Sequence, residues 1–194
     1  MNEPVDAAWR VDRRCTNCDV ARQLAPELVA EVAGRSSIVR QPRTDAEEKT
    51  LYAAAFACHT RSIRHGTRGP HPALDPFPLR LAEHVYLCGH NSPHTAGANS
   101  YLLRRPAGNL MMIDTPRWSP ALATKYATLG PITDVLLTHR DHAAHGRKYA
   151  DRFAPACGST KETWPPRQRR RHSPGHRADR DRRRRDRAPA ARAH

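Results

Sequence analysis

The chain has 194 residues, 38% of them hydrophobic, and a formal net charge of +14. That length accommodates one or two domains. No apolar stretch is long enough to span a bilayer, and the segment from Met1 to Pro4 has neither the basic region nor the apolar core of a secretory signal. The chain is therefore expected in the cytoplasm, without a membrane partner. The charge resembles that of a nucleic-acid binder, but its distribution points elsewhere. Arg167 to His194 holds twelve arginines and three aspartates, net +9, which leaves +5 for everything before it.

In chain order, the first feature is a C-x-x-C pair, Cys15 and Cys18. Val20, Leu24, Leu28 and Val32 follow at helical steps, and Pro26 interrupts them, which predicts a short helix followed by a second one. Ser36 to Arg40 is a predicted strand. Thr44 and Glu47 form a capping box, in which each side chain satisfies an amide at a helix start. Leu51, Ala54 and Ala55 then mark the apolar face of that helix, and Cys58 falls at its end. Unpaired thiols at this spacing fit a reducing compartment better than a disulfide scaffold.

Cys15, Cys18, the run Ala25, Pro26, Glu27, and the later Ala57, Cys58, Thr60 and Ile63 together resemble a single-cluster bacterial ferredoxin. The family pattern is Cys-x-x-Cys-x-x-Cys, then Ala-Pro-Glu, then Ala-Cys-Pro-Thr-x-x-Ile. The resemblance spans about residues 9 to 65. It implies an α+β fold, a redox partner, and Cys15, Cys18 and Cys58 as thiolate ligands of a 3Fe-4S or 4Fe-4S cluster. Two positions depart from the pattern. Ala21 stands where the third cysteine belongs, and His59 replaces the proline. A fourth ligand could come from Asp19 or His59. The plainer reading is a small α+β domain with inert thiols. Zinc fits less well, because no second close pair of ligands follows.

Residues 66–78 are rich in proline and glycine and read as a linker. Leu79 to Leu87 begins a second region, and Cys88 to His94 reads as a loop. Asn99 to Leu103 and Gly108 to Thr115 follow, and their pattern enters with the resemblance given below. Ser119 and Pro120 are an N-cap and first helical residue for a helix that runs to Thr128. After Pro131 to Asp134, Val135, Leu136 and Leu137 predict a fully buried strand. It delivers His139, Asp141, His142 and His145 to its end and the following turn. Arg147 to Phe153 then reads as a helix. Imidazole and carboxylate suit zinc or iron, and Asp141 is the candidate for proton transfer on a metal-bound water. The same residues also fit a solvated turn in which Asp141 caps the next helix.

Residues 137–142 resemble the His-x-His-x-Asp-His metal motif of the metallo-β-lactamase fold. The upstream hairpin and Asp114 resemble that family's opening strands. The resemblance covers roughly residues 80–153. It implies a partial αββα sandwich in which His139, Asp141, His142 and His145 ligate metal and Asp114 orients them from behind. Complete relatives would hydrolyse a small-molecule ester, thioester or amide. Here Leu137 stands at the first histidine, so the ligand set is incomplete and weak metal affinity with little hydrolysis is expected.

The expected organisation is thus a ferredoxin-like domain (1–65), a linker (66–78), a partial metallo-β-lactamase-like domain (79–153) and a basic tail (154–194). From Arg167 on, the tail has no Val, Ile, Leu, Met, Phe, Tyr or Trp. It cannot bury apolar area against its chain entropy and is expected to be disordered. It would bind nucleic acid only non-specifically, through phosphates. The loss of resemblance after Phe153 suggests a frameshift or truncation there. Three functions follow from these features: a degenerate metallo-hydrolase, an iron–sulfur electron-transfer protein, and a basic-tail nucleic-acid binder.

Overall fold

The computed structural model describes residues 8–66 and 69–153, all of which fall in one compact unit. The expectations for the basic tail and for a frameshift beyond Phe153 lie outside the described residues.

The first half runs strand, helix, strand, strand, helix, strand. β1 (Trp9–Val11) pairs antiparallel with β4 (Ile63–His65), and β2 (Val29–Val32) pairs antiparallel with β3 (Arg35–Ile38). Between them lie α1 (Val20–Leu24) and α2 (Asp45–Ala57). The second short helix expected after Pro26 does not form. Residues 29–32 are a strand instead, joined to β3 by Ala33 and Gly34, both at positive φ (50° and 76°). Two such residues make the tight turn that matches strand twist. The pairing this turn permits overrides the helical spacing of the apolar residues.

The α2 N-terminus largely follows its sequence. Thr44 accepts the Glu47 amide at 3.2 Å, whereas the Glu47 carboxylate reaches back to the Arg43 amide (2.7 Å) and pairs with Arg40. Leu51, Ala54 and Cys58 enter a core with Trp9, Leu28, Val29 and Ile63. Trp9 packs edge-on against Tyr52 with 4.9 Å between ring centroids. Gln41 exchanges two hydrogen bonds with the Trp9 backbone (2.8 and 2.9 Å), so a side chain satisfies an edge that lacks a strand neighbour.

The second half is one five-stranded sheet in the order β5-β6-β7-β8-β9. β5 (Leu79–Ala82), β6 (Val85–Leu87), β7 (Tyr101–Arg104) and β8 (Leu110–Ile113) are antiparallel neighbours, and β9 (Ile132–Leu136) lies parallel to β8. A parallel neighbour requires a crossover, and α3 (Pro120–Ala127) supplies it. Ser119 caps α3, accepting the Leu122 amide at 3.1 Å. Leu102, Leu110, Met112 and Ile132 bury one sheet face beneath Tyr126 of α3 and Tyr149 of α4 (Gly146–Phe153). β9 is not the fully buried strand its composition predicts. Among the described residues it is an edge strand with one neighbour, and Leu136 is 50% exposed.

The two halves share a core. Val20, Ala53 and Ala57 from the first pack with Phe77 and Leu87 from the second. Phe77 lies in the predicted linker, which holds a 3-10 turn at Pro72–Leu74. Its ring occupies the place a side chain at Gly89 would fill, and Gly89 has φ +65°. Asp75, from the same segment, accepts Lys125 Nζ at 2.7 Å and contacts His90 Nε2 at 3.0 Å, which ties the segment to α3.

Candidate functional site

The loop between β1 and α1 carries Cys15 and Cys18, and the end of α2 carries Cys58. All three line one small recess, together with Val11, Asp19, Ala21, Ser36, Thr60 and Ser62. Cys18 is exposed, Cys15 half-buried and Cys58 buried. The loop turns tightly enough to do this because Asn17 and Asp19 adopt positive φ (57° and 70°), a conformation that short polar side chains tolerate. Arg61, across the recess, is also at positive φ (53°), and its carbonyl accepts Arg14 Nη2 at 2.6 Å.

Cys58 Sγ sits in a cradle of donors. The hydroxyls of Thr60 and Ser62 each lie 3.3 Å away and the Ser62 amide 3.4 Å. Burial pushes this thiol up, but the hydrogen bonds from Ser62 and Thr60 outweigh it and hold the group below its usual value. A backbone amide, that of Asn17, also donates to Cys15 Sγ at 3.4 Å. Amide and hydroxyl donors aimed at sulfur stabilise thiolates and tune the clusters they bind. Ser62 and Asn17 were not among the residues singled out from sequence, and Thr60 was noted only as part of the ferredoxin-like pattern. The hydroxyl four positions beyond Cys58 was the only signal for Ser62.

Among the described residues, no three His, Cys, Asp or Glu side chains are close enough to share one metal ion. That arrangement does not suit a single zinc ion. It is compatible with a cluster, in which each iron takes its own thiolate and the sulfurs stand apart. Three thiols lining one recess, with amide and hydroxyl groups around Cys58 Sγ, are the donor chemistry that an iron–sulfur group takes.

The histidine turn is arranged differently. Residues 140–145 form a 3-10 helix, and His139 is its N-cap, with Nδ1 accepting the Asp141 amide at 3.2 Å. Neutral His139 must then carry its proton on Nε2. Asp141 is 61% exposed and lies 3.7 Å from His139. His142 Nδ1 meets Asp114 Oδ2 at 3.1 Å and Thr138 Oγ1 at 3.2 Å. Asp114 also accepts the Thr138 amide (2.9 Å) and hydroxyl (2.7 Å), which fixes it at the end of β8. His145 turns away from His142: its Nε2 meets Ser92 Oγ at 2.9 Å, and its ring faces His94. Burial lowers the His145 pKa. The structure thus brings His142 and Asp114 together, leaves His139 and Asp141 at the surface, and turns His145 toward another loop.

Residues 11–65 match the family model of the 4Fe-4S single cluster domain of Ferredoxin I. The N-terminal part of this mixed α/β chain is ferredoxin-like. No curated protein and no solved structure matches the chain. The match supports a cluster as the cofactor, rather than zinc or iron as a hydrolase metal. A metallo-β-lactamase domain is not shown: the described residues of the second half hold one sheet, not two. No helix among the described residues is long and apolar enough to cross a membrane.

Proposed function

We propose that this protein is an iron–sulfur electron-transfer protein whose N-terminal domain, residues 1–65, holds a cluster through Cys15, Cys18 and Cys58 and exchanges single electrons with a redox partner. The observation that carries this reading is that three cysteines from two separate segments line the same recess. The family match over residues 11–65 supports it independently. A bound cluster supplies a one-electron couple. The chain supplies the thiolates, the hydroxyl and amide donors around Cys58, and a half-open rim at Cys18 through which a partner can approach. Residues 66–78 then act as a tie and residues 79–153 as a scaffold.

Anaerobic incubation of the purified full chain with ferrous iron and sulfide tests the reading. Expected are stoichiometric iron and sulfide and a broad visible absorbance that bleaches on reduction, both lost in Cys58→Ser. A chain that takes up no iron and sulfide would sink it.

One observation favours a second reading. The Asp114 carboxylate holds His142 through Nδ1, which leaves Nε2 free, an arrangement common behind metal-ligating histidines. On this reading His142 anchors a weak metal site of a degenerate hydrolase, which His139, Asp141 and His145 would have to move to complete, with Asp141 handling the proton of a metal-bound water. Zinc titration by calorimetry, with a thioester hydrolysis assay on the zinc-loaded chain, is the test. Absence of binding at millimolar zinc removes it.

A further inference from the structure

We propose that Arg117, with Ser92, His94 and His145 beside it, forms a binding site for a doubly charged oxyanion of the phosphate class, where the two halves of the chain meet. The site needs neither a cluster at the cysteines nor a metal ion at the histidine turn.

Arg117 is fixed on both sides. Its backbone amide donates to the His90 carbonyl at 2.7 Å, and its own carbonyl accepts the Tyr149 hydroxyl at 3.1 Å. One corner of the guanidinium is anchored as well. Nη2 donates to the carbonyls of His59, from the first half, and Asn91, from the second, each at 3.3 Å. Among the described residues, Nε and Nη1 have no hydrogen-bond partner, and no carboxylate pairs with the group. Arg22 and Arg40, also half-buried, each hold a carboxylate, at 2.5 and 2.7 Å. A guanidinium drawn partly out of water without a counter-ion is costly. Burial and the charge of Arg61 hold Arg117 below its ordinary pKa.

The surroundings add donors and positive charge. Ser92, fully buried and next to Asn91, accepts the His94 amide at 3.2 Å, and its hydroxyl meets His145 Nε2 at 2.9 Å. The His94 and His145 rings stand edge to face with centroids 6.1 Å apart. Burial lowers His145, and the charges of His94, Lys148 and Arg117 push it the same way, so these groups lie within one another's field. The acids of the neighbouring segments are engaged elsewhere. Asp75 holds Lys125 and His90, and Asp114 holds Thr138 and His142.

An oxyanion supplies what this arrangement lacks. Its oxygens accept from the free edge of a planar guanidinium in the fork geometry that favours phosphate. The Nη2 anchor holds that edge in place beforehand, so little ordering is left to the moment of binding. Imidazoles donate in either protonation state. The permanent charges of Arg117, Arg61 and Lys148 favour a dianion over a singly charged carboxylate.

The full-length, isotope-labelled chain is titrated with inorganic phosphate at neutral pH and constant ionic strength, and the Arg117 Nε–Hε resonance is followed. A saturable shift is expected, with sulfate competing and acetate weaker by about tenfold or more. His94→Glu, at an exposed position, should weaken phosphate by about tenfold or more, because it sets a like charge beside the ligand. An unmoved Arg117 resonance overturns the proposal. So does a shift that never saturates and is shared by the other arginines, which would mean an adventitious ion only. Acetate binding as tightly as phosphate, or phosphate binding unchanged in His94→Glu, overturns it too.

Discussion

Ser62, 1% exposed, places its hydroxyl 3.3 Å and its amide nitrogen 3.4 Å from Cys58 Sγ. These donors, with Thr60, hold the buried thiol below its ordinary pKa. Ser62→Ala removes one donor without disturbing the backbone. In the cluster-free chain, Cys58 should then need a higher pH to ionise and should react more slowly with iodoacetamide at neutral pH. In the cluster-loaded chain the reduction potential should fall, because a hydrogen bond to sulfur favours the more negative, reduced state. Potentiometric titration reads the second effect. An unchanged potential would show that the Ser62 hydroxyl does not reach the cluster ligand.

The thiols should differ sharply in reactivity when no cluster is bound. Cys18 is exposed, whereas Cys88 is fully buried and its thiol is pushed up to about 12 by burial. Alkylation of the native chain followed by peptide mapping should label Cys18 before Cys58 and leave Cys88 unmodified until the protein unfolds. Early labelling of Cys88 would contradict the packing around it.

Phe77 and Gly89 join the segment after β4 to the sheet. A methyl group at Gly89 would collide with the Phe77 ring, and φ +65° already disfavours any side chain there. Gly89→Ala should cost about 1–3 kcal/mol through overpacking, and Phe77→Ala about 3–5 kcal/mol through the cavity it leaves. Urea unfolding measures both. Values near zero would mean that residues 66–78 are a loose linker after all.

Asp114 is 6% exposed and adopts φ 53°. Asp114→Ala strands the Thr138 amide and hydroxyl, and should cost about 1–3 kcal/mol for the unsatisfied groups. Asp114→Asn should cost less, since asparagine tolerates the left-handed backbone. Equal losses in the two variants would place the effect in the charge rather than in the hydrogen bonds.

Stability should fall in acid. The Arg40 guanidinium and the Arg43 amide pull the Glu47 carboxyl from 4.5 down to about 2. A depressed folded-state value favours folding above the unfolded pKa, and that contribution is lost as pH falls. The melting temperature should therefore hold down to about pH 4.5 and decline toward pH 2. Glu47→Gln should flatten part of that decline.

How much of this was legible in advance depended on range. The caps at Thr44 and Ser119 and the position of Cys58 at the end of α2 follow from neighbours within a few residues, and the folded chain keeps them. The reading failed where a distant partner intervened. Residues 29–32 have helical spacing but pair with β3. Residues 132–136 have a core composition but gain only one neighbour. His139 has the look of a ligand, yet its Nδ1 serves as a helix cap.

By itself the sequence determined the local elements and the spacing of the ferredoxin-like cysteines, because capping, turn preference and apolar alternation act over a few bonds. Only the tertiary structure decided that Cys15, Cys18, Cys58 and Ala21 line one recess, that the Asp19 carboxylate there is held by Arg22 and Gln23, and that Phe77 belongs to a core. Those outcomes depend on contacts between segments far apart in the chain, and each is set by competition for partners that no local pattern records.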